Sequence, residues 1–214
     1  MEIIIFFSIS YLIGSFPTAY VLLKKIKNAD ITKLGSGNVG ALNSFQVSSS
    51  KFIGIIVLLI DLSKGIAAGL LTKFFFPDIF WFSAISVSLA VLGHCYSPWI
   101  KFKGGKGLAT AAGGAITIAP AIFVIWILFW GVSFAYKRKV QFANIAATIL
   151  TLMISITSAG IISKSKWFTD PVPVSNLEFY LPIATMLTII LSKHFDSIKE
   201  ILILIISTRG NKNG

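Results

Sequence analysis

Residues 107–136 read GLATAAGGAITIAPAIFVIWILFWGVSFAY. As one helix this run is too long for a bilayer that about 20 residues cross. It would also set Lys137, Arg138 and Lys139 on the opposite side of the membrane from Lys101 and Lys103, against the retention of basic residues on one side. Pro120 resolves both problems. Its ring removes a backbone donor and clashes with the preceding turn, so a short Gly/Ala-rich span over roughly 107–119 ends there and a second, 121–136, returns.

That division sets the count for the whole chain. Five other apolar stretches lie near 3–23, 52–72, 79–100, 140–162 and 179–193, which makes seven spans. Of 214 residues, 55% are apolar and 13% charged, and the mean hydropathy of +0.84 lies outside the range of soluble domains. With the N-terminus outside, 15 of the 19 basic residues fall on the inner side, while Lys73, Lys164 and Lys166 lie outside and Lys64 falls within a span. The net charge of +11 is thus accounted for by topology, with no nucleic acid partner needed. The sequence reads as an all-α integral membrane protein: a seven-span helical bundle with one short Gly/Ala-rich span, N-terminus outside and C-terminus cytoplasmic. Without internal repeats or a low-complexity linker, 1–214 form one multi-pass domain. Glu2 and the absence of a basic n-region favour a retained first span over a cleaved signal. Residues 163–178, with Trp167, make an interfacial loop, and ILILII at 201–206, too short to cross, lies at the interface or packs beneath the bundle.

The topology gathers two glycine-rich loops on the cytoplasmic side. GSGNVGALN at 35–43 matches the dinucleotide fingerprint at Gly35, Gly37 and Gly40. That fingerprint needs a strand before it and a βαβ unit around it; here KKIK and two membrane spans flank the loop. What survives is the physics of glycine: residues without Cβ let backbone N–H groups converge on an anion, and a following helix N-terminus adds positive charge. Ser36, Asn38 and Asn43 add neutral donors, so a phosphate is the natural guest. The second loop, FKGGKG at 102–107, resembles a nucleotide phosphate loop but has Ile100 where a glycine belongs and Gly107 where Ser or Thr belongs. Lys106, enclosed by glycines, is the functional candidate; Lys101 and Lys103 suit ordinary inner-side residues.

Other chemistry is excluded. The eight acidic residues are too scattered for a carboxylate metal cluster, and two histidines with one cysteine do not build a zinc site. No G-x-S-x-G elbow occurs. His94 and Cys95 are adjacent on one helix and face apart. His94 either bonds a neighbouring helix or joins the site, and Asp61 with Lys64, three apart, either neutralise each other or take part in the chemistry; the sequence leaves both open.

LIGSFPTAYVL at 12–22, LGSGNVGALN, DLSKG at 61–65, GHCYSPWIKFKGGKGLAT and KHFDSI at 193–198 together resemble the bacterial acyl-phosphate-dependent glycerol-3-phosphate acyltransferases of the PlsY type. The resemblance covers nearly the whole chain. It implies seven spans in the bacterial inner (cytoplasmic) membrane with the active site facing the cytoplasm, and an acyltransferase that moves a fatty acyl group from acyl phosphate to the 1-hydroxyl of glycerol 3-phosphate. Lysophosphatidic acid and phosphate are the products, in phospholipid synthesis. It implies catalytic roles for Ser36, Lys106 and His194. Gly35, Gly37, Asn38, Gly40, Asn43, His94, Gly104, Gly105, Gly107, Thr110 and Ser197 fall in the substrate site. No cofactor or metal is expected; the partners are acyl phosphate, glycerol 3-phosphate and membrane lipid, with no nucleic acid. The phosphate of the acceptor is assigned to Lys106 and His194. Since acyl phosphate is already activated, positioning and electrostatic stabilisation suffice without a covalent nucleophile.

The chain also departs from the family pattern. Leu42 stands where Thr is usual, Gln46 replaces an Arg, Ser197 replaces an Asn, and ILILII runs where a Gly and a Glu are expected. A lost charged hydrogen bond is worth about 1.5–3 kcal/mol. The alternatives are a diverged paralogue with another phosphorylated acceptor or without activity, and a transporter or binder of a phosphorylated metabolite. A transporter predicts an inverted repeat, and the sequence carries none.

Overall fold

The structure, a computed structural model, describes residues 2–199 and Ile203. Among these the regular elements are helical: α1 (Glu2–Ser15), α2 (Thr18–Lys27), α3 (Ala41–Ser48), α4 (Lys51–Phe75), α5 (Phe80–Cys95), α6 (Leu108–Ile118), α7 (Pro120–Lys137), α8 (Val140–Thr157), α9 (Ala159–Ile162) and α10 (Asn176–Ser192). Four are long and apolar enough to cross a membrane, counting α1 with α2 as Glu2–Lys27 and adding α4, α7 and α8; α5, α6 and α10 are shorter apolar helices.

The break after Ile118 is where the sequence puts it. Ala119 leaves helical geometry and Pro120 opens α7 at its first position, where its missing N–H costs nothing. A second break was not anticipated. The expected span 3–23 divides at Phe16–Pro17, because Pro17 has no N–H to carry the helix through. Likewise the stretches 79–100 and 140–162 end early, at Cys95 and Thr157, and α3 appears between the first loop and α4. The stretch 201–206 lies outside the described residues except for Ile203.

Small residues bring the helices together. A Cβ on Gly14 would run into the Ala90 carbonyl and one on Gly93 into that of Tyr11, locking α1 to α5. Gly65 against Thr110 and Gly113 against Leu62 lock α4 to α6 in the same reciprocal way. Such close backbone approach is how helices gain packing energy where lipid offers no hydrophobic contrast. Phe80, Val87, Val91, Phe179 and Ile190 are buried between α5, α6 and α10, and Leu23, Ile31, Val39, Val57 and Ile100 form a second apolar cluster beneath the first loop.

The bundle has two distinct ends. At one, Val39 N–H donates to Gly104 O at 3.2 Å and Ser197 Oγ donates to Gln141 Oε1 at 3.0 Å, so both glycine loops and the segment after α10 gather there. At the other, Asp170 N–H donates to Ile118 O and Ala121 N–H to Phe168 O, so the loop after α9 satisfies the helix ends around Pro120. Glu178 accepts from the backbone N–H groups of Trp81 and Val174, and Lys73 pairs with Asp170. Trp167 in that loop is 87% exposed.

Candidate functional site

The first loop is braced from inside by one side chain. Gly35 and Gly37 take φ of 57° and 70°, the left-handed region glycine enters without strain. Beneath them lies Asn43, 1% exposed. Its Oδ1 accepts from Ser36 N–H, and its Nδ2 donates to the carbonyls of Leu34 and Asn38, each at 3.0 Å. A Cβ on Gly35 would overlap that Oδ1. Asn43 therefore holds the loop in shape, with both Nδ2 hydrogens and one acceptor position of Oδ1 used within the loop. Ser36 stands exposed and Asn38 half-buried above it. Gly40 leads into the first turn of α3, whose leading N–H groups point out of the helix without intrahelical partners.

The second loop lies against the first. After α5, Ser97 and Lys103 pair through Ser97 N–H donating to Lys103 O at 3.0 Å, closing a tight turn that exposes Trp99, Lys101 and Phe102. Gly104 and Gly105 then thread between His94 and the first loop. Gly105 N–H donates to His94 O at 3.1 Å, and a Cβ there would meet both His94 Nε2 and Val39 O. Gly107, at φ 81°, is the cap from which α6 starts. Lys106 is half-buried between them, and burial holds its ammonium below the ordinary lysine range. Lys101 and Lys103 are exposed.

His194 approaches from the segment after α10. It is fully buried, and its Nδ1 lies 2.9 Å from Ile190 O. A carbonyl only accepts, so the proton sits on Nδ1 and Nε2 keeps its lone pair. Among the described residues that Nε2 is buried without a hydrogen-bond partner. Burial lowers the affinity of the ring for a proton; the bond to Ile190 O opposes this, and the nearby Lys106 charge lowers it further. A neutral acceptor and a cation thus share one site.

The remaining residues divide. Thr110, expected in the substrate site, is buried with its hydroxyl donated to Asp61 O at 3.0 Å, a helix-to-helix bond. Ser197 is engaged with Gln141, and Gln46 is exposed. His94, almost buried, sits with Nδ1 3.7 Å from Asp61 Oδ1. Asp61 also receives a hydrogen bond from Lys64 Nζ at 2.6 Å. The sequence sets His94 in the substrate site and leaves Asp61 and Lys64 open; the spacing of three between those two is the only local signal of the cluster. Among the described residues, no three His, Cys, Asp or Glu side chains cluster as metal ligands.

Comparison with known proteins follows the same outline. The family model described as glycerol-3-phosphate acyltransferase matches residues 4–203. The glycerol-3-phosphate acyltransferase of Pelagibacter ubique is 35% identical over 156 residues, covering 73% of this chain and 80% of its own length. That of Macrococcus caseolyticus is 32% identical over 205 residues and 94% of each chain. The crystal structure of PlsY (YgiH), an integral membrane glycerol 3-phosphate acyltransferase, in its glycerol 3-phosphate form superposes with a TM-score of 0.78 at 29% identity, over 94% of this chain and 92% of that one. Its lysophosphatidic acid form gives 0.76 at 28%, with the same coverage.

Proposed function

The chain belongs to the glycerol-3-phosphate acyltransferase family, and from that premise we propose how its loops carry out the reaction. It is an integral membrane enzyme that acylates glycerol 3-phosphate. The donor is acyl phosphate and the acceptor group is the 1-hydroxyl. The observation that carries this reading is the nearness of a half-buried Lys106 to a buried, neutral His194 whose Nε2 has no partner among the described residues.

Lys106, the flanking glycine backbone of Gly104–Gly107 and the first turn of α6 hold the acceptor phosphate. His194 has no proton on Nε2 to offer that phosphate, so its part differs from the one first assigned: Nε2 accepts the hydrogen of the 1-hydroxyl and aims the oxygen. The oxygen attacks the acyl carbonyl carbon, the bond from that carbon to the phosphate oxygen breaks, and inorganic phosphate leaves. Phosphate oxygen of a substrate takes the hydroxyl proton. Ser36, Asn38, the loop of Gly35, Gly37 and Gly40 and the N-terminus of α3 hold the donor phosphate and the charge that grows on it. The acyl chain runs from Leu108 along the seam of α6, α7 and α10, where Ala111, Ala115, Phe123, Met186 and Leu187 line an apolar cavity of about 30 Å³.

The four long and three shorter apolar helices form seven spans of a single domain in the bacterial inner membrane, with the N-terminus outside and the loop end in the cytoplasm. The basic residues at that end, including Lys137–Lys139 at the α7–α8 turn, support this orientation. No metal takes part.

Purified protein in lipid, given palmitoyl phosphate with and without glycerol 3-phosphate, tests the donor. Acceptor-dependent formation of lysophosphatidic acid with one phosphate released per turnover is the expected result. Transfer from palmitoyl-CoA and none from palmitoyl phosphate would overturn it. A different phosphorylated alcohol turning over in place of glycerol 3-phosphate would point instead to the exposed Gln46 and the engaged Ser197 as marks of a changed acceptor.

A further inference from the structure

Against the second glycine loop lies a buried polar cluster that the mechanism above does not use. Asp61 and Lys64 face each other one turn apart on α4, both almost fully buried, with Nζ to Oδ1 at 2.6 Å. Lys64 Nζ also donates to Phe16 O at 2.6 Å, the carbonyl at the break between α1 and α2. Asp61 O takes the Thr110 hydroxyl from the first turn of α6. His94 on α5 completes the group through the 3.7 Å approach of its Nδ1 to Asp61 Oδ1. The other edge of the same ring, Nε2, abuts Gly105, and the His94 carbonyl holds the Gly105 N–H. Asp61, Lys64, His94, Val39 and Gly104 also enclose a cavity of about 10 Å³, the size of one water.

We propose that Asp61, Lys64 and His94 form a buried positioning network that fixes the backbone of Gly104–Gly107, and with it Lys106, for the acceptor phosphate. The inference rests on reading that loop as the acceptor phosphate site. Each member is committed elsewhere. The Lys64 charge is spent on Asp61 and on the Phe16 carbonyl, and the outer edge of the His94 ring is covered by Gly105. None faces the substrate, so His94 moves from the substrate ligands to this network. Four elements meet here: the α1–α2 break, α4, α5 and the start of α6. An ion pair in a membrane interior is costly to keep. Packing alone would be served by apolar residues, whereas a pair with a histidine between it and a glycine loop sets the position of that loop.

The experiment measures the kinetics and binding of three variants. Asp61→Asn alone leaves a buried, unpaired Lys64 and is expected to impair folding, so the decisive variant is the double Asp61→Asn/Lys64→Met, which removes both charges. Its folding is checked by size-exclusion profile and thermal unfolding. The expected result is a folded protein whose KM for glycerol 3-phosphate rises roughly 10- to 100-fold, while KM for the acyl donor and kcat stay within about threefold. His94→Ala should give the same selective rise. His94→Gln, which returns a side-chain nitrogen near the place of Nε2, should recover most of it. An unchanged KM for glycerol 3-phosphate in the folded double variant, or equal effects of His94→Ala and His94→Gln, would overturn the proposal. Wild-type turnover separates the two claims: its absence sinks the functional reading, and calorimetric binding of glycerol 3-phosphate then carries the same comparison among the variants.

Discussion

The two ends of the bundle spend their polar groups differently. At the end away from the glycine loops, Glu178 gives one carboxylate oxygen to Trp81 N–H and the other to Val174 N–H, Ser175 caps α10 by accepting from Glu178 N–H, and Lys73 pairs with Asp170. These groups serve the turns themselves. At the loop end Asn43 and the Asp61 cluster give similar support, yet beside it stand His194 Nε2, with no partner among the described residues, and a half-buried Lys106. Burying polar groups without partners is costly. The loop end differs in setting a cation beside a neutral acceptor, a capacity held in reserve for a ligand.

The sharpest way to break this contrast is Lys106→Ala. Losing one charge-assisted hydrogen bond costs about 1.5–3 kcal/mol, so kcat/KM for glycerol 3-phosphate should fall roughly 10- to 150-fold in steady-state kinetics, with folding intact. Because burial holds Lys106 below the ordinary value of 10.5, acceptor affinity should weaken as pH rises into the region below that value. Lys106→Arg should abolish this alkaline limb.

His194→Ala should cost about tenfold, the worth of one orienting hydrogen bond to a neutral ring. The protonated ring cannot accept the hydroxyl hydrogen, so in the wild type kcat/KM should decline as pH falls through a value below the ordinary 6.5; a pH–rate profile of the variant should lack that limb. The same shift bears on stability. A histidine whose proton affinity is lowered by folding stabilises the folded state above its unfolded value, and the contribution is lost as pH falls. Thermal unfolding should therefore show the wild type losing stability on acidification more steeply than His194→Ala.

Asn43→Ala removes three partly buried hydrogen bonds, each worth about 1 kcal/mol. It should lower stability by about 1–3 kcal/mol and raise KM for the acyl donor several-fold. A variant with unchanged donor KM would show that the first loop needs no brace. At the opposite end the effects should be smallest and purely structural. Glu178→Gln should lower stability by about 1 kcal/mol and Lys73→Met by less than about 1 kcal/mol, the pair with Asp170 being partly exposed. Neither should alter KM for either substrate, and a change in KM would erase the distinction between the ends.

Much of this arrangement was legible in the residues. Pro120 divides α6 from α7 because a proline inside a 30-residue apolar run leaves few choices, and the glycines of both loops sit where the backbone takes positive φ or has no room for a Cβ. Pro17 was missed because apolar residues continue past it to Leu23, and hydropathy alone joins what the ring separates. Asn43 reads as a ligand in the string of letters, since a short amide beside glycines suits that role; its bracing of the loop shows only in three bonds to residues five to nine positions away. The Asp61–His94 approach joins residues on α4 and α5, a contact that no local periodicity carries. The same holds for Thr110, whose partner, the Asp61 carbonyl, comes from another helix.

The most direct measurement is the calorimetric titration of glycerol 3-phosphate into the purified protein in lipid, wild type beside Lys106→Ala, without acyl donor. Saturable binding to the wild type, weakened at least about tenfold in the variant, is the result expected if the reserved capacity at the loop end holds the acceptor phosphate. Equal affinity in the two proteins would contradict it.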